Sequence, residues 1–433
     1  MSPLQGSIEA ESCQGGTSVA QEKLLKEGKR GLRMMLKNAA PIIAMMIVIA
    51  LVTVDDLPAG ENLFTWPDFI KIGTPHVGTG NHSLASAWST EFSAATKVRA
   101  RVLPAPNAYA MAEWLTTKQV DLTLFQASDY IEQLDGIEGY ASKTAGPANS
   151  LSIYISLVTP WGAMVRGDSK IKTIYDIGPD TRVVWYAGSS SIMKGIKALL
   201  AMNGLTPDDV KLVEVGSYGA NSKVIAEGRA DVTFTSPLSD LNYEVAANPK
   251  GIRWLEIPSE KEDPKAHRAY RALQAGYSIV PAKSGHSSAR GIRMAQAYQN
   301  YHVRGDEDPE FVYQLVKWLD ENQASYRDKY THAKLMSFDN YIEFLENGPV
   351  EPIHPGMIRY LQEKGLWKDK YARQHEFNLK LANKHITVFK AAIKAAEKKG
   401  MKVAPRNKEW VRFWEQYKRD NGISESFGNV ERP

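Results

Sequence analysis

The chain has 433 residues, 53 Lys+Arg against 49 Asp+Glu, and 43 % hydrophobic residues. A formal charge of +4 and a mean hydropathy of -0.35 exclude a charge-rich disordered chain and a polytopic membrane protein, and offer no basic footing for nucleic acid. Its one cysteine, Cys13, excludes a disulfide framework and every Cys-based metal site.

The first residues read as an export segment. Residues 1–22 are polar and patternless; Lys23, Lys26, Lys29, Arg30, Arg33 and Lys37 then precede the uncharged run 39–54, which ends at Asp55-Asp56. Basic first and apolar second is the order of a signal peptide, and the run is short for a bilayer span. It serves as a cleaved signal, with Leu57-Pro58-Ala59 as the cleavage site, or as an uncleaved anchor in the inner membrane. No lipobox cysteine follows, and Met34-Met35 offers an alternative start. Residues 1–59 carry six basic and six acidic residues, so the remainder keeps the charge of +4.

From Asp68 strands and helices alternate. The pattern predicts a strand over 69–74, a helix over 84–95, a strand over 97–104, a helix over 108–116 and a strand over 120–128. After a long apolar strand over 151–166 the grammar restarts, with a strand over 181–188, a helix over 191–204, a strand over 210–215, a helix over 219–228 and a strand over 230–236. Alternation of this kind implies largely parallel sheets covered on both faces, in two α/β units with a ligand cleft between them. From Pro309 onward the chain reads as helical, and its tail over 370–433 as Lys/Arg-rich amphipathic helix with a solvated basic face.

In open α/β sheets ligands bind beyond the C-terminal ends of strands, near helix N-termini. Four strand-end loops fit: 73–83 (Gly-Thr-Pro-His-Val-Gly-Thr-Gly-Asn-His-Ser), Gln126 with Ser128, Gly188-Ser189-Ser190-Ser191, and Thr235-Ser236. They are rich in hydroxyl and amide groups without a carboxylate cluster, which suits donation of N–H and O–H bonds to an anion. Enzyme signatures fit less well. Gly78-x-Gly80-x-x-Ser83 lacks the acidic ribose ligand of a dinucleotide site, and Ser191-Ile-Met-Lys194 matches S-x-x-K without a K-T-G strand. His76 and His82 share a loop without a third metal ligand, so neither a metal nor a cofactor is expected.

IKIGTPHVGTGNHSLASAW, VDLTLFQASD, VVWYAGSSSIMKGIKALLAMNGL, EGRADVTFTSP and above all VEPIHPGMIRYLQEKG over 350–365 give the chain a family likeness. It resembles the substrate-binding proteins of the TAXI group of TRAP transporters over roughly 68–367. The resemblance implies a two-lobed, type II periplasmic-binding-protein-like α/β fold with a hinge and a helical C-terminal extension. Lobe 1 would combine 60–157 with 293–433, and lobe 2 would span 158–292. It also implies a periplasmic receptor that captures a small organic anion (a carboxylate, 2-oxo acid or amino acid) and delivers it to TRAP membrane subunits. Carried onto this chain, the ligand contacts would be Thr74, Val77, Thr79, Asn81, Gln126, Ser128, Gly188, Ser189, Ser190, Ser191, Thr235 and Ser236. Lys194 is the first choice of counter-charge, ahead of Arg101, Arg166 and Lys197. The family's Gly-Gly-Thr-Tyr is replaced here by Gly78-Thr-Gly-Asn81, while Trp185-Tyr186 puts aromatics beside the serine loop. His354 and Arg359 are expected to serve structure, with 354–356 forming a turn before a helix. Two alternatives stand beside this reading: a Ser/Lys hydrolase using Ser191 and Lys194, and a sensory binding protein of the same fold.

Overall fold

The computed structural model describes residues 64–274 and 276–433. The export segment expected within 1–59 lies outside the described residues; among the described residues no helix is long and apolar enough to cross a membrane.

The first α/β unit comprises β1 (Phe69–Thr74), α1 (Gly80–Thr96), β2 (Arg99–Pro104), α2 (Ala108–Thr116) and β3 (Leu122–Gln126). β1 pairs in parallel with both β2 and β3. The expected strand over 120–128 is cut short, because α3 (Ala127–Asp135) starts directly after Gln126 and closes on Gly136 at φ 61. A Cβ at Gly136 would also lie 2.8 Å from the Trp414 indole nitrogen, so both backbone sign and space require glycine. β4 (Ser150–Arg166) then runs for 17 residues.

The second unit is β5 (Arg182–Trp185), α4 (Ser190–Ala201), β6 (Lys211–Glu214), α5 (Tyr218–Ala226) and β7 (Thr233–Thr235). The chain continues through α6 (Asp240–Ala246), β8 (Ile252–Leu255), α7 (Pro264–Leu273) and β9 (Ser278–Pro281), and returns along β10 (Arg293–Arg304). Helices finish it: α8 (Pro309–Glu321), α9 (Gln323–Tyr326), α10 (Phe338–Glu346), α11 (Pro355–Glu363), α12 (Asp369–Lys398) and α13 (Lys408–Asp420).

The sheet is mixed where the alternation implied a largely parallel one. Its order is β2-β1-β3-β10-β4-β7, with β10 antiparallel to both β3 and β4, and β7 and β8 antiparallel to β4. The reason is connectivity: the chain re-enters the first unit along a strand rather than through a helical crossover. The ladder between β4 and β10 slips register at Gln299/Asn300 and at Tyr301/His302.

These two strands serve two cores. On β4, Trp161, Ala163 and Val165 pack with Ile192, Ile196 and Leu199 of α4, whereas Met164 faces Val224, Trp254 and Met294 on the other side. The residues before β4 and after β10 pack around separate clusters, such as Phe125, Tyr130, Leu134 and Phe427. We call these bodies lobe 1 and lobe 2; the switch points expected at 157/158 and 292/293 fall inside β4 and just before β10.

The tail forms amphipathic helices, and their apolar face is buried. Trp410 donates to the Ala141 carbonyl at 2.8 Å, Trp414 to Asp135 O at 3.0 Å, and Lys418 Nζ to the same oxygen at 3.1 Å. The Asp135 carboxylate accepts Phe427 N at 2.8 Å and Ser426 Oγ at 2.5 Å. Only the opposite face, with residues such as Lys394, stays in solvent. Trp414→Ala should therefore cost about 3–5 kcal/mol in urea unfolding, as a buried indole leaves a cavity, whereas Lys394→Ala should stay within about 0.5 kcal/mol.

Candidate functional site

A cleft of about 820 Å³, counting the solvent space at its mouth, opens where the C-terminal ends of β1 and β3 meet the middle of β4 and β10. Six helices begin around it, two of them at Tyr218, which opens α5, and after Ser239, which precedes α6. Asn81 stands in the first turn of α1, Asn107 precedes α2, Gln126 precedes α3, and Ser189 and Ser191 flank the start of α4.

Each start is set by local chemistry. Thr79 Oγ1 accepts from His82 N at 3.4 Å, Asn107 Oδ1 from Ala110 N at 2.8 Å, and Ser189 Oγ from Ile192 N at 3.4 Å, all N-cap bonds. Gln126 makes no cap bond, and its buried Oε1 has no partner among the described residues. The N–H groups and positive dipole ends of these helices thus converge on one space.

The hinge strands form the back wall through Leu157, Thr159, Trp161 and Gln299. Their polar groups are tied to α1: Asn81 Nδ2 donates to Gln299 Oε1 at 2.8 Å, Thr159 Oγ1 to the same oxygen at 2.7 Å, and Ser156 Oγ to Asn81 Oδ1 at 2.8 Å. Tyr186 and Tyr218 come from lobe 2. At Gly188 a Cβ would lie 2.4 Å from the Tyr186 ring, so the serine loop can pass that tyrosine only with glycine there.

The lobes touch around the cleft. His76 Nε2 lies 3.4 Å from Tyr186 Oη, Ser83 Oγ donates to Asp240 at 3.0 Å, Ser128 Oγ pairs with Tyr277 Oη at 2.8 Å, and Lys194 Nζ meets Glu132 at 2.8 Å.

Electrostatically the cleft departs from expectation. Among the described residues no lysine or arginine lines it, and one carboxyl does, that of Asp129. Burial first, and then the charge of Glu132, pushes Asp129 up to about 7, against the pull of Gln126, Lys194 and Ser191. Glu132 is likewise raised by burial, with the Lys194 ammonium opposing. A carboxylate pair therefore does stand directly beyond the third strand end, at i and i+3 of α3.

Thr79, Asn81, Gln126, Gly188, Ser189, Ser191 and Ser236 all line this one cleft. Six other predicted contacts do not. Val77 is 68 % exposed and points into solvent. Thr74 Oγ1 is engaged with Pro75 O at 3.1 Å and His82 Nδ1 at 3.0 Å; Thr235 Oγ1 lies 3.0 Å from Tyr218 Oη and accepts Asn242 Nδ2 at 3.1 Å. Ser128 is spent on Tyr277, and Ser190 is buried one position behind the lining. Lys194 does not reach the cleft as a counter-charge, because Glu132 holds it. The other candidates are also engaged elsewhere: Arg166 with Asp168 at 2.5 Å, and Lys197 over the Trp185 ring at 5.8 Å, while Arg101 lies on β2 outside the lining. His354 caps α11 by accepting Gly356 N at 3.2 Å, and Arg359 lies 3.7 Å over the Tyr313 ring.

Asn107, Asp129, Thr159, Trp161, Tyr218 and Gln299 were missed. Asn107 carried a signal, a cap residue just after Pro104-Ala-Pro106 and before a helix. Gln299 carried none, since the polar sequence of β10 hides its strand.

The sequence pattern of the NMT1-like family matches residues 77–365, more than half of the chain. The chain belongs to the NMT1-like family. No curated protein sequence matches it. Among solved structures, it is similar to the periplasmic aliphatic sulphonate binding protein SsuA from Escherichia coli (14% identity, 83% of this chain, 95% of that one, TM-score 0.38). It is similar also to PhnD1 from Prochlorococcus marinus in complex with methylphosphonate (15%, 63%, 92%, 0.41). A third is a binding protein component of an ABC phosphonate transporter from Pseudomonas aeruginosa (10%, 76%, 99%, 0.40). The matched span begins within the first cleft loop, takes in the others from both lobes and ends before the tail.

The raised Asp129 gives a pH signature. A carboxyl that holds its proton more tightly when folded contributes stability that is complete below its unfolded value near 4 and is lost as pH rises through about 7. Asp129→Asn should remove that slope, so the variant gains on wild type by about 1.4 kcal/mol per pH unit at most across pH 4–7, read by urea unfolding at several pH values.

Proposed function

We propose that this chain is an extracytoplasmic solute-binding protein that closes on a small ligand and hands it to membrane transport subunits, without catalysis. The observation that carries this is the cleft itself, in which two lobes joined by two continuous strands face each other across converging helix N-termini. That arrangement suits capture by hinge motion, in which ligand binding shifts the population toward the form with the lobes together.

The ligand is a small organic anion: a carboxylate, a 2-oxo acid or an amino acid. Its acidic group is held by helix N–H donors, Ser189 and Ser191 rather than by a cationic side chain. Asp129 favours a ligand that also brings a hydrogen-bond donor. The sequence resemblance supports TRAP membrane subunits as the recipient, and the basic-then-apolar first residues support export to the periplasm or tethering to the inner membrane.

Hydrolysis by Ser191 and Lys194 fits poorly. Ser191 Oγ lies 2.9 Å from Ser189 Oγ, and Lys194 is paired with Glu132, so the lysine that an S-x-x-K pair would use as base is engaged elsewhere.

Two measurements test the reading. With Trp161 in the cleft wall, titration with dicarboxylates, 2-oxo acids and amino acids should give a saturable change in tryptophan fluorescence. Gln126→Ala should weaken it about tenfold, as expected for one lost hydrogen bond. If no solute of the panel changes fluorescence or melting temperature, the receptor reading fails. Lys194→Met should cost on the order of 2–3 kcal/mol at pH 8, because it leaves Glu132 buried and unpaired. That cost should shrink toward pH 5 as Glu132 takes up a proton.

A further inference from the structure

A second hollow, of about 800 Å³ counting the solvent at its mouth, lies behind the hinge. Along β4, Leu157, Thr159 and Trp161 face the ligand cleft, whereas Val158 and Pro160 face this cavity. Side chains alternate across a strand, so the two hollows occupy opposite faces of the same hinge segment. β10 repeats the division, with Gln299 toward the cleft and Gln296 toward the rear.

Both lobes supply walls, and both supply cations. Lys283 and Arg290 come from the loop between β9 and β10, and Lys334 from the turn before α10. None of the three makes an ion pair among the described residues, although neighbouring basic groups do: Arg293 pairs with Glu256 and Glu262, and Lys329 with Glu91. The lining carboxylate, Glu343, accepts Tyr298 Oη at 2.9 Å. Arg290 bears electrostatically on both Tyr243 and His332, and Lys334 on His332, with the Asp240 carboxylate acting against them at both groups. Tyr243 Oη and His332 Nε2 lie 3.4 Å apart in the same wall, and the imidazole is held below its ordinary value chiefly by burial, which keeps it neutral near pH 7. Lys283, Arg290 and Lys334 are exposed at the rim of one hollow, so like charges face a shared space and a bound anion would offset their repulsion.

We infer that this rear cavity is a second binding site, for a small multivalent oxyanion such as phosphate, sulfate or a di- or tricarboxylate, which bridges Lys283 and Arg290 of lobe 2 to Lys334 of lobe 1. The anion ties the lobes together across the back of the hinge. Because the two hollows flank one strand, closing the front changes the width of the rear. Rear occupancy therefore biases the hinge, and the two sites influence each other by equal factors. The site stands without the transport reading; its effect on ligand capture rests on that reading.

The test uses the full chain, with sodium sulfate and sodium citrate titrated against sodium chloride at matched ionic strength. Calorimetry should show saturable binding, weakened tenfold or more in Lys283→Gln/Lys334→Gln. Hydrogen exchange should slow in 283–290 and 331–336 together. Unsaturable binding equal to that of chloride, unchanged affinity in the double variant, or protection of one segment alone overturns the proposal. So does loss of sulfate binding in Gln126→Ala, which would put the anion in the front cleft. Single Arg290→Gln, at an exposed position, keeps the test valid should the double variant not fold. If sulfate binds at the rear while no solute of the fluorescence panel binds at the front, the receptor reading fails and this site remains.

Discussion

One strand has to satisfy two hydrophobic cores, and the rest of the molecule is arranged around that demand. β4 is 17 residues long and nearly all buried. It gives one end to β10 in lobe 1, and the other to β7 and β8 in lobe 2. Because its side chains alternate, each methylene it places on one face fixes what it places on the other. Slipping it by one residue would exchange Thr159 and Trp161 for Val158 and Pro160 in the cleft, and would take Ala163 and Val165 out of their core. The antiparallel partner β10 absorbs its irregularities as two register shifts, beside the residues that line the back wall.

Charge inside the cleft follows from a second constraint. A buried carboxylate needs a partner or a proton, and the chain supplies one of each. Glu132 has the Lys194 ammonium from the facing lobe, while Asp129 sits where its ionised form is penalised. The ion pair thereby makes contact between the lobes a condition for satisfying Glu132. What looked in the sequence like a cation reserved for a ligand is a contact between lobes.

Much of the scaffold is legible in the sequence. Helix 108–116 coincides with the observed α2, and the long apolar strand agrees to one residue, because capping residues, glycine stops and apolar runs are local signals. Seven of the thirteen proposed contacts line one cleft, since strand ends and helix caps can be found by reading. The others depended on which way a side chain turns once its neighbours are fixed. Thr74 and Thr235 end strands correctly yet point to partners inside, and Val77 tops its loop facing water. The antiparallel return along β10 was hidden because its burial comes from partners distant in sequence, which an alternation of polar and apolar residues does not encode. The tail's amphipathic character and solvated basic face are legible in the same way, but the surface that receives its apolar face is not.

That surface is the end of α3. The helix whose first turn carries Asp129 is clasped at its last residue, Asp135, by Trp414, Lys418, Ser426 and Phe427. Nearly three hundred residues separate the two halves of this clasp along the chain. A ribosome makes Asp135 long before the residues that clasp it, so these contacts can form only once residue 427 has been added. The helix that carries Asp129 into the cleft thus takes its last contacts from a stretch made far later than itself.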